Sequence, residues 1–187
     1  MPGTEDLEFG STARDQEHLV PMCTLFAGGR LFGIDTRRIR EVLERTRLER
    51  VPRAPFFIGG VMPYRGEVLT TVSLRAVLGF AALQGDGGAV LVLDDGEVEE
   101  QFGLLADTVG GVTMVDRRRY VENPPTLDER NRALFDGAYR MPGGGLLVEL
   151  DPERLRPVRL ASGGLHEDPV AEAGGSGRNR GGTRCER

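Results

Sequence analysis

The residue types that carry most enzymatic chemistry are scarce in the middle of this chain. Its two histidines, His18 and His166, lie near the two ends, so neither is placed as a general base at the centre of a fold. The spacings Gly-x-Ser-x-Gly, Cys-x-x-Cys and His-Glu-x-x-His do not occur, and the glycine clusters have no lysine with which to hold a phosphate. These absences count against an enzyme, and metal ligands with a recognisable spacing are also absent.

Two carboxylates and two thiols are the remaining candidate ligands. Asp94 and Asp95 can bind a cation, but they precede Gly96, and Asp-Gly between apolar stretches is a strong hairpin signal, so we favour a turn. Cys23 lies in an apolar stretch and Cys185 lies close to the end of the chain, so we expect no disulfide between them.

The basic residues consist of 24 arginines and no lysine, in a chain whose formal net charge is −5. The segment 37–53 holds seven arginines against three glutamates, which suits an anionic partner such as nucleic acid or an acidic protein surface. The alternative is a solvated face with internal pairs, for example Glu41 with Arg45. We favour internal pairs because a protein that coats nucleic acid is basic overall, and we expect the triplet 117–119 to be an exposed loop.

One arginine stands at a tight corner between two predicted strands. Tyr64-Arg65-Gly66 follows a strand framed by prolines and glycines. At such a corner the guanidinium of Arg65 can lie across a neighbouring carboxylate, or the three residues can form an ordinary turn.

The elements that must position these residues are mainly short strands separated by glycine. Period-two patterns and turn residues predict strands at residues 19–27, 30–35, 59–63, 67–73, 89–94, 101–106, 109–115, 135–141 and 145–150. Ile39, Val42 and Leu43 have helical spacing and predict a short helix from Thr36; further helical turns are expected at 74–78 and from Asp151. Many short strands with few helices indicate a barrel or a sandwich.

The ends of the chain have a different composition. Residues 1–17 are acidic and residues 161–187 are rich in glycine and arginine, and both have few large apolar side chains. We expect both to be disordered tails around a domain at 18–160. The chain has no run of apolar residues long enough to cross a membrane and no secretory signal pattern, so we expect a cytoplasmic protein.

The order of several short motifs resembles the CheW-like family of chemotaxis coupling proteins, over roughly residues 18–158. The motifs are Phe32-Gly33-Ile34-Asp35, Ile39-Arg40-Glu41-Val42, the stretch 55–61, Arg65-Gly66, Val72-Ser73-Leu74-Arg75, the stretch 102–109, and the stretch 145–151 followed by Leu155. The resemblance implies two SH3-like five-stranded barrels around a shared core, with a few short helices. It also implies an adaptor without enzymatic activity or cofactor, which couples the cytoplasmic tip of a methyl-accepting chemoreceptor to the regulatory domain of a chemotaxis histidine kinase.

The resemblance further implies which residues bind partners. Ile39 and Glu41 match the short helix and the residues that follow it, which the family uses near the receptor. Arg65 matches the family's arginine in Asn-Leu-Arg-Gly, and Tyr64 and Gly66 flank it. We predict that Glu41 and Arg65 pair across the first barrel and order a receptor groove.

Two departures from the family pattern lie near this turn. Pro63-Tyr64 replaces Asn-Leu, and Ser73 replaces the usual aspartate before Leu-Arg. We expect the proline to remove a backbone donor and the loss of the carboxylate at Ser73 to remove an acceptor that stabilises the turn, which bears on partner specificity. A nucleic-acid-binding small barrel using segment 37–53 and a small-ligand protein or enzyme are the alternative functions.

Overall fold

The computed structural model describes residues 18–44, 47–81, 87–93, 101–122 and 132–163. Within these ranges the chain forms eleven strands and two short α-helices. The strands are β1 Leu19–Ala27, β2 Arg30–Asp35, β3 Ile39–Glu44, β4 Ile58–Tyr64, β5 Glu67–Ser73, β6 Ala89–Leu93, β7 Phe102–Ala106, β8 Thr108–Asp116, β9 Tyr120–Val121, β10 Phe135–Arg140 and β11 Leu146–Leu150. The helices are α1 Leu74–Val77 and α2 Pro157–Ser162. Neither has the length or the apolar surface that a membrane crossing requires.

Five strands form one small barrel, with the order β3-β6-β7-β5-β4. Its edge strands approach each other because the chain beyond β3 turns back and Glu49 pairs with Val61 of β4. The N–H of each of these two residues donates to the carbonyl of the other, with N–O distances of 2.8 Å. The interior is filled by Tyr64, Leu69, Val90 and Val92. We call this unit the five-stranded barrel.

The other six strands form a second barrel, with the order β8-β1-β2-β11-β10-β9. Edge strand β8 continues through a 3-10 turn, Arg117–Arg119, into β9 at the opposite edge, and this connection wraps the sheet around its interior. The interior side chains are Val20, Met22, Val115, Tyr139 and Leu147. We call this unit the six-stranded barrel; its sixth strand, β9, is only two residues long.

A large apolar core lies between the two barrels, because several strands are buried on both faces. In β6 every residue is buried: Val90 and Val92 point into the five-stranded barrel, whereas Leu91 and Leu93 belong to the shared core. A strand covered on both sides reads as a continuous apolar run. The predicted mainly β fold, with two barrel subdomains around a shared core, is therefore confirmed.

Local turn chemistry fixes the hairpin between β1 and β2. Gly28 and Gly29 have φ values of 58° and 75°, the left-handed backbone that a two-residue hairpin loop requires. Both strands have the predicted bounds. α1 begins after Ser73, whose Oγ accepts a hydrogen bond from the N–H of Ala76 at 3.3 Å. The expectation that Ser73 leaves this turn without an acceptor is wrong, because its hydroxyl supplies one.

The helix predicted from Thr36 is wrong. Asp35 does cap a turn there, but the turn is a 3-10 helix of three residues, Thr36–Arg38, and β3 begins at Ile39. β3 pairs antiparallel with β6 from Ile39↔Leu93 to Glu44↔Ala89, and its exposure alternates with period two. This pairing overrides the helical spacing of Ile39, Val42 and Leu43, because so short a helix is only marginally stable without tertiary support.

The closing helix begins later than predicted. The Asp151 carboxylate accepts from the N–H of Glu153 and starts a turn, but α2 runs from Pro157 to Ser162, with proline in its first turn. The helix thus passes the expected domain end at residue 160. Residues 1–17 and 164–187, which hold almost all of the expected tails, lie outside the described residues, as do Asp94 and Asp95.

Candidate functional site

The β4–β5 hairpin and the opposite edge strand β3 position the main candidate residues. Tyr64 ends β4 and pairs with Glu67, so that Arg65 and Gly66 form a two-residue loop. Their φ values are 50° and 88°, as a turn with two left-handed residues requires. Glu41 lies on β3, and closure of the five-stranded barrel brings β3 to the end of β4.

Glu41, Tyr64 and Arg65 converge on one carboxylate oxygen. Tyr64 Oη donates a hydrogen bond to Glu41 Oε2 at 2.7 Å, and Arg65 Nη2 donates to the same oxygen at 2.9 Å. The guanidinium carbon of Arg65 lies 5.2 Å from the centre of the Tyr64 ring, within cation–π range. The predicted pairing of Glu41 with Arg65 is confirmed. We call these three residues the Glu41–Tyr64–Arg65 cluster.

The cluster joins a buried ring to an exposed charge. Tyr64 is 9% exposed, whereas the side chains of Glu41 and Arg65 are 38% and 63% exposed. The Tyr64 hydroxyl, followed by the Arg65 guanidinium, lowers the pKa of Glu41. Burial, followed by the hydrogen bond to Glu41, raises the pKa of Tyr64. Glu41 is therefore an anion at neutral pH, and the guanidinium of Arg65 is still accessible to an acidic group from outside.

The other two predicted partner residues have different surroundings. Gly66 has open space around the position of a Cβ atom, so it is an exposed part of the turn. Ile39 lies at the start of β3 and packs against the shared core, not against the cluster. The structure therefore brings together Glu41, Tyr64, Arg65 and Gly66, and it leaves Ile39 at the margin between the barrels.

A groove of mixed polarity lies between β5, the start of β7 and α2. Val68 on β5 is 74% exposed, and Val158 on α2 is 61% exposed. The groove has a volume of about 280 Å³ and is lined by Val68, Thr70, Gln101, Phe102, Arg156, Pro157 and Val158. We call it the Val68–Val158 groove. The strand pattern predicts β5 but gives no sign of the groove, because Arg156, Pro157 and Val158 reach it from a distant part of the chain.

An apolar surface lies on one face of β1 and β8. The register pairs Leu19 with Asp116, Pro21 with Met114 and Cys23 with Val112, so these residues share that face. Cys23 is buried, but Val112 and Met114 are 64% and 53% exposed. We call Leu19, Pro21, Val112 and Met114 the β1–β8 face. Period-two alternation could have indicated it, because Val112 and Met114 alternate with Gly111 and Thr113.

Some arginines of the described residues form ion pairs with an acid two or three residues away. Arg37 pairs with Asp35, and Arg118 Nη2 lies 2.8 Å from Asp116 Oδ2 in the same arrangement two residues apart. The guanidinium of Arg118 lowers the pKa of Asp116 to about 2. Arg45 lies outside the described residues, and Glu41 is engaged by Tyr64 and Arg65. These pairs favour a solvated surface over a nucleic-acid site.

A polar cleft of about 410 Å³ lies beside Asp35, Asp136, Glu149 and Asp151. Burial raises the pKa of Glu149, and burial with the nearby Asp151 raises the pKa of Asp136. Arg154 pairs with both Asp136 and Asp151, so the cleft is largely neutralised from within. Among residues 18–163 that are described, no three His, Cys, Asp or Glu side chains are grouped as metal ligands.

Comparisons with known proteins place this geometry in a family. The model of the CheW-like domain matches residues 21–158. The chemotaxis protein CheW of Rhizobium meliloti (strain 1021) is 29% identical over 126 residues, covering 66% of this chain and 80% of its own length. The chemotaxis protein CheW of Treponema pallidum (strain Nichols) is 26% identical over 141 residues, covering 72% of this chain and 80% of its own length.

A solved structure has the same fold. The scaffolding protein TtCheW from Thermoanaerobacter tengcongensis superposes with a TM-score of 0.61 at 19% identity, covering 71% of this chain and 88% of its own. At this identity the likeness supports the two-barrel fold and carries no residue roles.

Proposed function

Because the chain belongs to the CheW-like domain family, we propose that it is a coupling protein without enzymatic activity, which joins a chemoreceptor to a chemotaxis histidine kinase in the cytoplasm. The observation that carries this proposal is the presence of two separate surfaces with exposed apolar side chains, one beside each barrel. The Val68–Val158 groove is next to the five-stranded barrel, and the β1–β8 face belongs to the six-stranded barrel. Exposed apolar patches mark interaction sites, and an adaptor needs two that can be occupied together.

The receptor tip is assigned to the β1–β8 face and to edge strand β3. An amphipathic helix presents apolar side chains about one turn, roughly 5–6 Å, apart. Val112 and Met114 are alternate residues on one strand, with a rise of roughly 7 Å between them, close to that spacing. Val42 on β3 adds a further exposed apolar side chain beside Glu41.

The Glu41–Tyr64–Arg65 cluster supports the β3 part of this receptor surface. β3 is an edge strand, and Glu41 ties it to the end of β4 through two hydrogen bonds to one oxygen. The cluster therefore fixes the position of β3 relative to the end of β4, and the exposed guanidinium of Arg65 can pair with an acidic partner residue.

The kinase regulatory domain is assigned to the Val68–Val158 groove. Val68 and Val158 line this groove together with Arg156, whose Nε lies 3.2 Å from Glu153, so apolar and charged groups lie next to each other. Interfaces between folded domains combine apolar and polar groups in this way.

Binding assays with purified receptor tip and kinase regulatory domain test the assignment. We expect Val112→Glu to abolish receptor binding and keep kinase binding, and Val68→Glu to do the reverse, because each places a charge in one apolar contact. Arg140→Glu, a charge change at an exposed position on β10, is the matched control. A wild-type protein that binds neither partner, or two valine variants that lose the same partner, would contradict the proposal.

A further inference from the structure

The chain returns from the five-stranded barrel to the six-stranded barrel through a single residue. β7 ends at Ala106, β8 begins at Thr108, and Asp107 lies between them. Its backbone N–H donates to the carbonyl of Phe26 on β1 at 2.9 Å, which fixes the start of β8 against the hairpin of the six-stranded barrel.

The side chain of Asp107 contacts both barrels. Arg75, on α1 of the five-stranded barrel, donates from Nε to Oδ1 at 2.6 Å and from Nη2 to Oδ2 at 2.8 Å. Gly28, in the β1–β2 turn of the six-stranded barrel, donates its N–H to Oδ2 at 3.0 Å. Arg75 and Asp107 are only 25% and 18% exposed, so water screens this pair less than the surface pairs.

The same turn packs closely on the segment that follows α1. A Cβ atom on Gly28 would lie 2.4 Å from Cδ2 of Phe80, so only glycine allows this approach. Arg30 on β2 lies over the opposite barrel's Phe80 ring, with 5.5 Å from Cζ to the centroid. Arg75 Nη1 also donates to the carbonyl of Ala81 at 3.0 Å, which holds the segment carrying Phe80 in place.

We propose that the Arg75–Asp107–Gly28 junction sets the angle between the two barrels, and that Asp107 is a positioning residue for binding two partners at once. The part concerning the angle stands on these contacts alone. The part concerning two partners rests on the proposed function, because surfaces on different barrels are presented together only if the barrels hold one orientation.

Asp116, at the other end of β8, provides a matched control. Its carboxylate also accepts from the Nε and Nη2 of one guanidinium and from a backbone N–H, but all of these donors belong to Arg118, two residues away. Asp116→Asn thus removes the same kind of ion pair from the same strand without touching the other barrel.

Distances between spin labels measure the angle directly in the full chain. One label replaces Glu67 on β5 and the other Arg140 on β10, both exposed, in a background with Cys23→Ala and Cys185→Ser. A second pair, at Val112 and Arg140, reports within the six-stranded barrel.

We expect Asp107→Asn to broaden the distance distribution between the barrels and to leave the distribution within the six-stranded barrel unchanged. Arg75→Lys keeps the positive charge, and Asp107 can still accept the bond from Gly28, but the two parallel hydrogen bonds of the guanidinium are lost. It should therefore broaden the same distribution, and it is the test variant if Asp107→Asn does not fold. Asp116→Asn should leave both distributions as in the parent. Narrow distributions between the barrels in Asp107→Asn and Arg75→Lys would overturn the proposal.

Partner binding supplies the second readout. With the receptor tip and the kinase domain fused by a linker just long enough to span both sites, Asp107→Asn should bind the kinase domain alone as the parent does, while its affinity for the fused pair falls about tenfold because the receptor and kinase sites no longer share one geometry. An unchanged affinity for the fused pair would overturn the positioning role. Failure of the parent itself to bind either partner would instead contradict the proposed function, and the distance measurement would still decide the junction.

Discussion

At the scale of single residues, Arg65 holds a backbone conformation that suits glycine better. Its φ of 50° is left-handed, which costs a residue with a side chain about 1–2 kcal/mol. An arginine at such a position stays because its side chain contributes something that glycine cannot, here the contact with Glu41 and the Tyr64 ring.

We therefore expect Arg65→Gly to weaken partner binding without lowering the free energy of unfolding. Relief of the strained backbone contributes about 1 kcal/mol, and the lost exposed pair costs about 0–1 kcal/mol, so the two effects offset each other. Denaturant unfolding measures the stability, and a pull-down with the receptor tip measures binding. Arg53→Gly is the control, because Arg53 has a φ of 63° and lies outside the cluster; loss of the fold in Arg65→Gly would contradict the expectation.

Tyr64→Phe removes one hydrogen bond and keeps the ring. Because Tyr64 is buried and its hydroxyl donates to a carboxylate, we expect a loss of roughly 1–2 kcal/mol in the free energy of unfolding. Urea unfolding at neutral pH provides the measurement. Combined with Glu41→Gln in a double-mutant cycle, the two losses should not be additive; full additivity would show that the two side chains do not interact.

The lowered pKa of Glu41 makes part of the stability depend on pH. A carboxyl group with a lower pKa in the folded state stabilises the fold above its ordinary value of 4.5, and this stabilisation is lost as pH falls through the lower folded value. The stability difference between the parent and Glu41→Gln should therefore shrink as pH falls below 4.5. Thermal unfolding from pH 7 to pH 3 tests this, and a difference that grows with acid would contradict it.

At the scale of strands and helices, the sequence predicts best where a local signal sets a boundary. Gly28-Gly29 gives the bounds of β1 and β2, and Ser73 marks the change from β5 to α1. It fails at β3, where pairing with β6 some fifty residues away in the chain overrides a helical spacing.

Only part of the candidate site can be predicted from the sequence, for the same reason. The pairing of Glu41 with Arg65 came from family resemblance, since nothing local joins residues 24 positions apart. The role of the Tyr64 hydroxyl depends on closure of the barrel, and the Val68–Val158 groove on the late position of α2. Both arise from tertiary structure.

A glycine on β7 shows how tightly the five-stranded barrel is filled. A Cβ on Gly103 would lie 2.6 Å from Val90 Cγ1 and 3.0 Å from Thr71 Cγ2. We expect Gly103→Ala to lower the free energy of unfolding by about 1–3 kcal/mol, the range for overpacking a well-filled core. Gly111→Ala is the control on β8, since nothing lies within 4 Å of its Cβ position. Chemical unfolding of both variants checks this, and equal stabilities would contradict it.

At the scale of the whole molecule, the shared core should make the two barrels unfold together. Leu104 on β7 is fully buried in that core, so Leu104→Ala should cost about 2–5 kcal/mol and lower the transition of both barrels. The chain has no tryptophan, so circular dichroism and methyl NMR signals from each barrel can follow the transition. Val158→Ala, at an exposed position, is the control. Two separate transitions in Leu104→Ala would show independent barrels.

The order of the strands along the chain has a consequence for synthesis on the ribosome. The five-stranded barrel uses β3 to β7 and has all its strands once Ala106 has been added. The six-stranded barrel begins with β1 and β2 but pairs β2 with β11, which ends at Leu150. During elongation the first hairpin must wait, with Val20 and Met22 uncovered on one side, until the last strand emerges. The six-stranded barrel is therefore begun first and completed last, and its nascent β1–β2 hairpin is the segment that binding of a chaperone would protect from aggregation.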